Sequence, residues 1–241
     1  MGPEVSVCIP VYRGETFLAE TIRSVLQQTY GNYELVVLDN ASTDETPWIT
    51  RSFDDPRIRI VTNTTTLPQP DNWRKAVDLC RAPLVKLVCA DDLLYPRCLE
   101  HQVAAMAADP GLAVVAARRD MIDESGHVLA RGRGLRGLVG VRPGVEVARR
   151  VVRSGANPIG GPGGVLFRRA DYDDQRDHGP AGRHPAAARA PAGSGDRAIG
   201  RLGAPSGRLR RRLLFALSAR TSRRSEPRVR PRTAPVSSCG S

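Results

Sequence analysis

The chain has 241 residues, of which 41% are apolar and only 5% aromatic, and its formal net charge is +11. Residues 1–172 carry 21 basic and 20 acidic side chains, whereas residues 173–241 carry 15 arginines, no lysine and 5 acids. The excess positive charge therefore belongs to the C-terminal third, which argues against a nucleic-acid-binding fold that spans the whole chain.

The hydrophobic pattern alternates between strand and helix. Short apolar runs predict strands at 5–11, 34–39, 57–61, 84–89, 112–116 and 164–167. Apolar residues at helical spacing predict helices at 16–28, 72–80, 96–108 and 145–152, and a capping box at 42–45 predicts one further helix. Gly126 is expected to turn a hairpin. Strands alternating with helices over short connections predict an α/β fold with a mostly parallel sheet.

This pattern stops near Asp173. From there onward Arg, Ala, Gly, Pro and Ser predominate, and such a composition cannot bury enough surface to offset the entropy of ordering the chain. We therefore divide the chain into a domain at 1–172 and a tail at 173–241, which we expect to be disordered apart from a short helix at 209–217. The tail is either a natural Arg-rich extension or the product of a reading-frame shift near Asp173, and we favour the frame shift.

The cellular compartment is predicted from two features. No apolar run approaches the 18 or so residues of a membrane span, and the first residues lack the charged and apolar regions of a secretory signal. The chain has five cysteines, which is an odd number, and it contains no CxxC motif. These features favour a cytoplasmic protein with buried free thiols rather than a zinc site or a disulfide framework.

Three polar clusters follow predicted strands, at Pro10–Tyr12, Asp39–Asn40 and Asp91–Asp92. Ligands of open α/β sheets bind at the carboxyl ends of the strands, so these clusters are candidate site residues. The paired carboxylates suit a hard divalent cation that also contacts phosphate, although they could instead cap the helix expected after Pro96. Asp39 could accept a hydrogen bond from a nucleobase imide, or it could cap the turn that follows it.

Several longer segments together resemble family 2 glycosyltransferases. They are VSVCIPVY at 5–12, FLAETIRSVLQQTY at 17–30, YELVVLDNASTD at 33–44, DNW at 71–73, VKLVCADDLLYP at 85–96 and NPIGGPGGVLFRR at 157–169. The resemblance covers about residues 4–172. It implies a Rossmann-like GT-A domain that binds a nucleotide-diphospho-sugar, and family members usually invert the anomeric configuration.

The resemblance also implies roles for individual residues. Pro10 and Tyr12 would shape the pocket for the nucleobase and ribose, and Asp39 would hydrogen-bond the base. Asp91 and Asp92 match the end of the family's DXD motif and would hold Mn²⁺ or Mg²⁺ on the diphosphate, with Asp92 as the expected direct ligand. The implied reaction transfers a sugar from a UDP- or dTDP-type donor to a saccharide, lipid or cell-envelope acceptor.

This sequence departs from the family pattern in three places. Asn40 replaces the second acid after the second strand, and Cys89 replaces the first acid of the DXD motif. No convincing catalytic base follows the strand at 165–167, so we assign none and expect weak or absent transfer. The alternative is a donor-binding pseudoenzyme or an adaptor whose basic tail contacts a membrane peripherally or binds RNA; nucleic acid is the less expected partner.

Overall fold

The computed structural model describes residues 2–133, 140–144, 146, 164–178, 212–215 and 220–223. The elements, in chain order, are β1 Val5–Val11, α1 Leu18–Leu26, β2 Tyr33–Asp39, α2 Thr46–Arg51, β3 Ile58–Thr62, α3 Gln69–Asp78, β4 Leu84–Leu87, β5 Asp92–Leu94, α4 Cys98–Ala108, β6 Leu112–Ala116, β7 Arg119–Ile122, β8 Val128–Arg133, β9 Gly140–Pro143, β10 Val165–Arg168, α5 Arg169–His178, β11 Arg212–Phe215 and β12 Arg220–Arg223.

The strands of the described residues form two sheets. The larger has eight strands in the order β3-β2-β1-β4-β10-β6-β11-β9, and the smaller has the order β5-β12-β7-β8. In the large sheet, β3, β2, β1 and β4 are parallel neighbours, and β10 lies antiparallel between β4 and β6. The predicted α/β fold with a mostly parallel central sheet is confirmed.

Helices cover both faces of the central strands. Every residue of β1 and β2 is buried, as expected for parallel strands with no solvent-facing side. Because side chains alternate across a strand, Val7 and Ile9 pack into one core with helices α1 and α4, whereas Cys8 packs into a second core with α3. Cys8, Cys80 and Cys98 are buried free thiols, as predicted, whereas Cys89 is only half-buried.

The helix after β2 is capped differently from the prediction. The helix begins at Thr46, and the carboxylate of Asp44 accepts the Thr46 N–H at 3.2 Å. The predicted capping box is wrong because the Ser42 hydroxyl accepts the Arg13 N–H at 3.0 Å instead. Ser42 therefore joins two loops rather than capping a helix.

The C-terminal half differs from the sequence expectation in its details. The hairpin at Gly126 is confirmed, with φ +88 at that residue and antiparallel strands on either side. The predicted helix at 209–217 is wrong over 212–215, which instead form β11 because the edges of β6 and β9 supply backbone partners there. The predicted helix at 145–152 lies almost wholly outside the described residues. None of the described helices has the length and apolar character that a membrane crossing requires.

A buried lysine on β4 connects that strand to α4 and, through Gln102, to the start of β10. Lys86 is 0% exposed, and its Nζ donates to Oε1 of Gln102 on α4 at 2.9 Å. Gln102 Nε2 in turn donates to the Gly164 carbonyl at 3.1 Å, next to β10. Buried polar groups need hydrogen-bond partners, so Gln102 serves both the Lys86 amino group and the start of β10.

Replacing Gln102→Leu should lower the free energy of unfolding by about 2 kcal/mol, because the buried Lys86 amino group loses an acceptor and the Gly164 carbonyl loses a donor. Urea denaturation measures the change. The control is His101→Ala, an exposed neighbour on the same helix. A loss in Gln102→Leu no larger than that in the control would contradict the assigned role.

Candidate functional site

A cavity of about 760 Å³ opens at the carboxyl edge of the parallel strands. Its walls come from the segments after β1, β2, β3 and β4 and from the first turn of α3. The lining includes Pro10, Tyr12, Gly14, Asn40, Leu67, Gln69, Asn72, Trp73, Cys89 and Asp91. Three of the five residues predicted from the sequence, Pro10, Tyr12 and Asp91, therefore share one cavity, as expected at this edge of an α/β sheet.

The loop after β1 forms one wall. The Tyr12 ring is 48% exposed, and the Arg13 guanidinium lies 5.4 Å from its centroid, within cation–π range. A Cβ at Gly14 would lie 2.4 Å from Cγ2 of the buried Val11, so only glycine fits there without a shift. Gly14 N–H donates to the Thr46 hydroxyl at 2.8 Å, which ties this loop to the start of α2.

Asp44 fixes the same pair of loops through its charge. Its carboxylate accepts the N–H groups of Glu15, at 3.3 Å, and Thr46. Burial favours the neutral acid, but the hydrogen bonds from the Thr46 side chain and from these backbone groups outweigh it and hold the pKa of Asp44 below its ordinary value. The ionised carboxylate therefore holds the wall of the cavity near neutral pH.

Asp39 precedes the cavity-lining Asn40, is not itself among the lining residues and is 1% exposed. Its Oδ1 accepts the Ser42 N–H at 3.0 Å, which is the turn cap anticipated from the sequence. Its Oδ2 is buried and has no hydrogen-bond partner among the described residues. An unpaired buried carboxylate oxygen is costly and rare, and this one belongs to a residue next to the cavity lining rather than in it.

Three buried asparagines form a network that the sequence did not suggest. Asn63 Nδ2 donates to Oδ1 of Asn40 at 2.7 Å and to Oδ1 of Asn72 at 2.9 Å. Asn40 also pairs with both backbone groups of Leu67, each at 2.9 Å. The one available signal was that Asn63 follows a strand, as the other candidate residues do.

A candidate cation site follows β4. The Cys89 thiol and one carboxylate oxygen each of Asp91 and Asp92 all lie within 4.8 Å of one another. Asp91 lines the cavity, whereas Asp92 is 3% exposed, begins β5 and is not among the lining residues. Carboxylates fit Mg²⁺ or Mn²⁺, and a thiol is a softer ligand that fits Mn²⁺ better than Mg²⁺. The donor set thus fits a divalent cation.

The segment that carries these acids is held on both sides. The Thr21 hydroxyl donates to the Ala90 carbonyl at 2.8 Å, and Gln28 Nε2 donates to the Tyr95 carbonyl at 2.9 Å. On the other side the Tyr95 hydroxyl donates to the buried Asp120 at 2.8 Å. Burial and this hydrogen bond raise the pKa of Tyr95, so the phenol keeps its proton.

Comparison with known proteins identifies the family of this domain. The model for "Glycosyl transferase family 2" matches residues 6–175, which include all five predicted site residues. The chain belongs to glycosyltransferase family 2. The resemblance noted in the sequence is thereby confirmed, and so is the assignment as a glycosyltransferase.

The chain matches only part of the length of its curated relatives in family 2. The Mycobacterium tuberculosis protein MT1568 is 31% identical over 176 residues, which are 69% of this chain and 54% of that protein. Escherichia coli WfgD, named a UDP-Glc:alpha-D-GlcNAc-diphosphoundecaprenol beta-1,3-glucosyltransferase, is 32% identical over 102 residues, which are 42% of this chain and 40% of that protein. The chain spans about half, or less, of the length of these relatives.

Solved structures support the GT-A fold. Staphylococcus aureus TarS 1–349 matches with a TM-score of 0.59 at 20% identity, over 76% of this chain and 52% of that one. The same protein in complex with UDP-GlcNAc matches with a TM-score of 0.58 at 18% identity, over 73% of this chain and 48% of that one. At these identities the likeness concerns the fold alone.

The geometry predicts unequal thiol reactivity. Cys89 lines the cavity, whereas Cys8, Cys80 and Cys98 are at most 1% exposed. In a Cys239→Ser background, which removes the cysteine outside the described residues, iodoacetamide should label Cys89 at least about tenfold faster than the buried thiols. Mass spectrometry of native and urea-treated protein measures the rates. Equal rates for all four thiols in the native protein would contradict this placement.

Proposed function

We propose that the cavity binds a UDP- or dTDP-sugar and that the enzyme transfers the sugar to a saccharide, lipid or cell-envelope acceptor. The observation that carries this proposal is the convergence of Pro10, Tyr12 and Asp91 on one cavity, backed by the unpartnered Oδ2 of Asp39. The name of WfgD and the UDP-GlcNAc complex of TarS support a uridine-type donor by similarity.

The nucleobase end of this proposed site lies beside β1 and β2. Pro10 and Tyr12 provide an apolar and aromatic surface for the base and ribose, and Asp39 Oδ2 accepts the imide N–H of uracil or thymine. A buried charged acceptor rejects a base that lacks a donor at that place, because the carboxylate would then stay unpaired. This requirement favours uracil or thymine over cytosine.

The diphosphate end lies beside β4. Asp91 and Asp92 would hold Mn²⁺ or Mg²⁺ there, with the Cys89 thiol close by. When bound, such an ion neutralises the charge that develops on the leaving diphosphate. Asp91 faces the cavity and is suited to contact an ion shared with the diphosphate, and the buried Asp92 completes the acidic pair.

Transfer also requires a group that deprotonates the acceptor hydroxyl. Among the described residues after β10, Asp173 pairs with Arg169 at 3.4 Å, and we assign no base. We therefore propose metal-dependent donor binding with weak or absent transfer. We also propose 1–172 as the donor-binding domain; the end of the family match at 175 supports this boundary.

The adaptor alternative gains no support from the described part of the chain. Its tail residues there, besides the end of α5, are two short strands that pair within the sheets. No second function is proposed.

Replacing Asp91→Asn tests the metal-dependent part of the proposal. Calorimetry with UDP should show that Mn²⁺ strengthens binding by the wild-type protein, and that the variant loses about tenfold or more of this affinity because a charged ligand becomes neutral. Without metal the two proteins should bind UDP about equally. UDP with Mn²⁺ should also slow the alkylation of Cys89 in the wild type.

The matched control is Asp71→Asn, an exposed acid on α3 whose salt bridge with Arg74 is also exposed. It should bind UDP as the wild type does. Wild-type affinity in Asp91→Asn at saturating Mn²⁺ would remove Asp91 from the proposed metal site, and a wild type with no measurable UDP binding would refute the proposed function itself.

A further inference from the structure

The amide orientations in the asparagine network are fixed by the backbone. Leu67 N–H must donate and its carbonyl must accept, so Asn40 has to present Oδ1 to the first and Nδ2 to the second. Because Asn40 Oδ1 can only accept, Asn63 must turn its Nδ2 toward it. Because that Nδ2 can only donate, Asn72 must in turn present its Oδ1 to Asn63. The orientation of each side-chain amide follows from the one before it.

The last amide in this series ends at the cavity. Asn72 is 4% exposed and lines the cavity. Its Oδ1 is engaged by Asn63, and its Nδ2 makes no hydrogen bond within the described part of the protein. The network therefore leaves the side-chain N–H donor of Asn72 at the cavity wall. Its orientation is fixed by the Leu67 backbone through Asn40 and Asn63.

The position of this donor within the sheet indicates which part of a ligand it meets. Asn40 and Asn63 follow β2 and β3, whereas the Cys89, Asp91 and Asp92 cluster follows β4, and β1 lies between β2 and β4. Neighbouring strands are about 4.8 Å apart, so the ends of β2 and β4 are separated by about 10 Å. The donor group therefore belongs to the end of the cavity opposite the metal cluster, on the side of Asp39.

We propose that Asn72 is a specificity-determining residue whose Nδ2 donates to a carbonyl oxygen of the donor's pyrimidine base, beside the imide that Asp39 accepts. This inference rests on the proposed function. An acceptor at Asp39 and a donor at Asn72 match the alternating imide N–H and carbonyl groups of uracil or thymine. The network makes this pair rigid before the ligand arrives, which reduces the entropy cost of binding.

Replacing Asn72→Asp removes this donor while it keeps the acceptor for Asn63. The substituted carboxylate lies in the first turn of α3, where negative charge is favourable, so the melting temperature should stay within about 2 °C of the wild type. Binding of both uridine and UDP should weaken about tenfold or more, because a carboxylate oxygen then faces a carbonyl oxygen. Calorimetry with UDP and NMR titration with uridine measure the two affinities.

Two controls separate this contact from general effects. Thr64→Asp places the same charge on an exposed residue of the loop before α3 that does not line the cavity, and it should leave uridine binding unchanged. Asn40→Asp should lower the melting temperature clearly, because a carboxylate cannot donate to the Leu67 carbonyl. This contrast distinguishes a ligand contact at Asn72 from a structural one.

The three outcomes below have different meanings. If Asn72→Asp binds uridine as the wild type does, the inference is overturned, even where UDP binding falls, because the loss then concerns the phosphates. If Asn72→Asp unfolds as Asn40→Asp does, the residue is structural and the inference is overturned as well. If the wild type itself fails to bind UDP, the proposed function fails first, and this result is distinct from both.

Discussion

The parallel pairing of β1 with both β2 and β4 is the constraint on which the site depends. Val11 lies opposite Asp39 at one end of the first pair, and Val5 lies opposite Leu84 at the other end of the second. Because the three strands run in the same direction, the segments that follow them leave the sheet at one edge. A base-binding end and a metal-binding end can therefore form from residues that are far apart in the chain, with no movement of the sheet.

Much of this arrangement could be predicted from the sequence because its signals are local. An apolar run followed at once by Pro10–Tyr12, Asp39 or Asp91 marks both a strand and its functional end. The asparagine network could not be predicted this way: Asn40 and Asn72 stand in motif segments and Asn63 follows a strand, but only the fold brings the three side chains within hydrogen-bonding distance. The capping box was wrong for the same reason, since its Ser42 is taken by Arg13, 29 residues earlier.

Asn40 shows that a departure from the family pattern has a structural role in this chain. Sequence reasoning treated it as an acid lost from the motif. In the structure its amide both donates to and accepts from Leu67, and a carboxylate could only accept. The buried Asn63 Oδ1 has no hydrogen-bond partner in the described part of the chain, which costs about 1–3 kcal/mol. In return, the asparagine network holds the polar groups of the cavity wall in one orientation.

The proposed donor binding and the proposed sugar transfer would draw on different parts of the chain. All residues that line the cavity lie between Pro10 and Asp91, and the hydrogen bonds that hold these loops come from α1, α2, α3 and the strands around them. A base for the acceptor hydroxyl would have to come from beyond β10 by analogy with the family. Whatever the origin of the Arg-rich tail, the cavity is formed by residues that precede it by more than 80 positions, so its binding chemistry can persist where transfer does not.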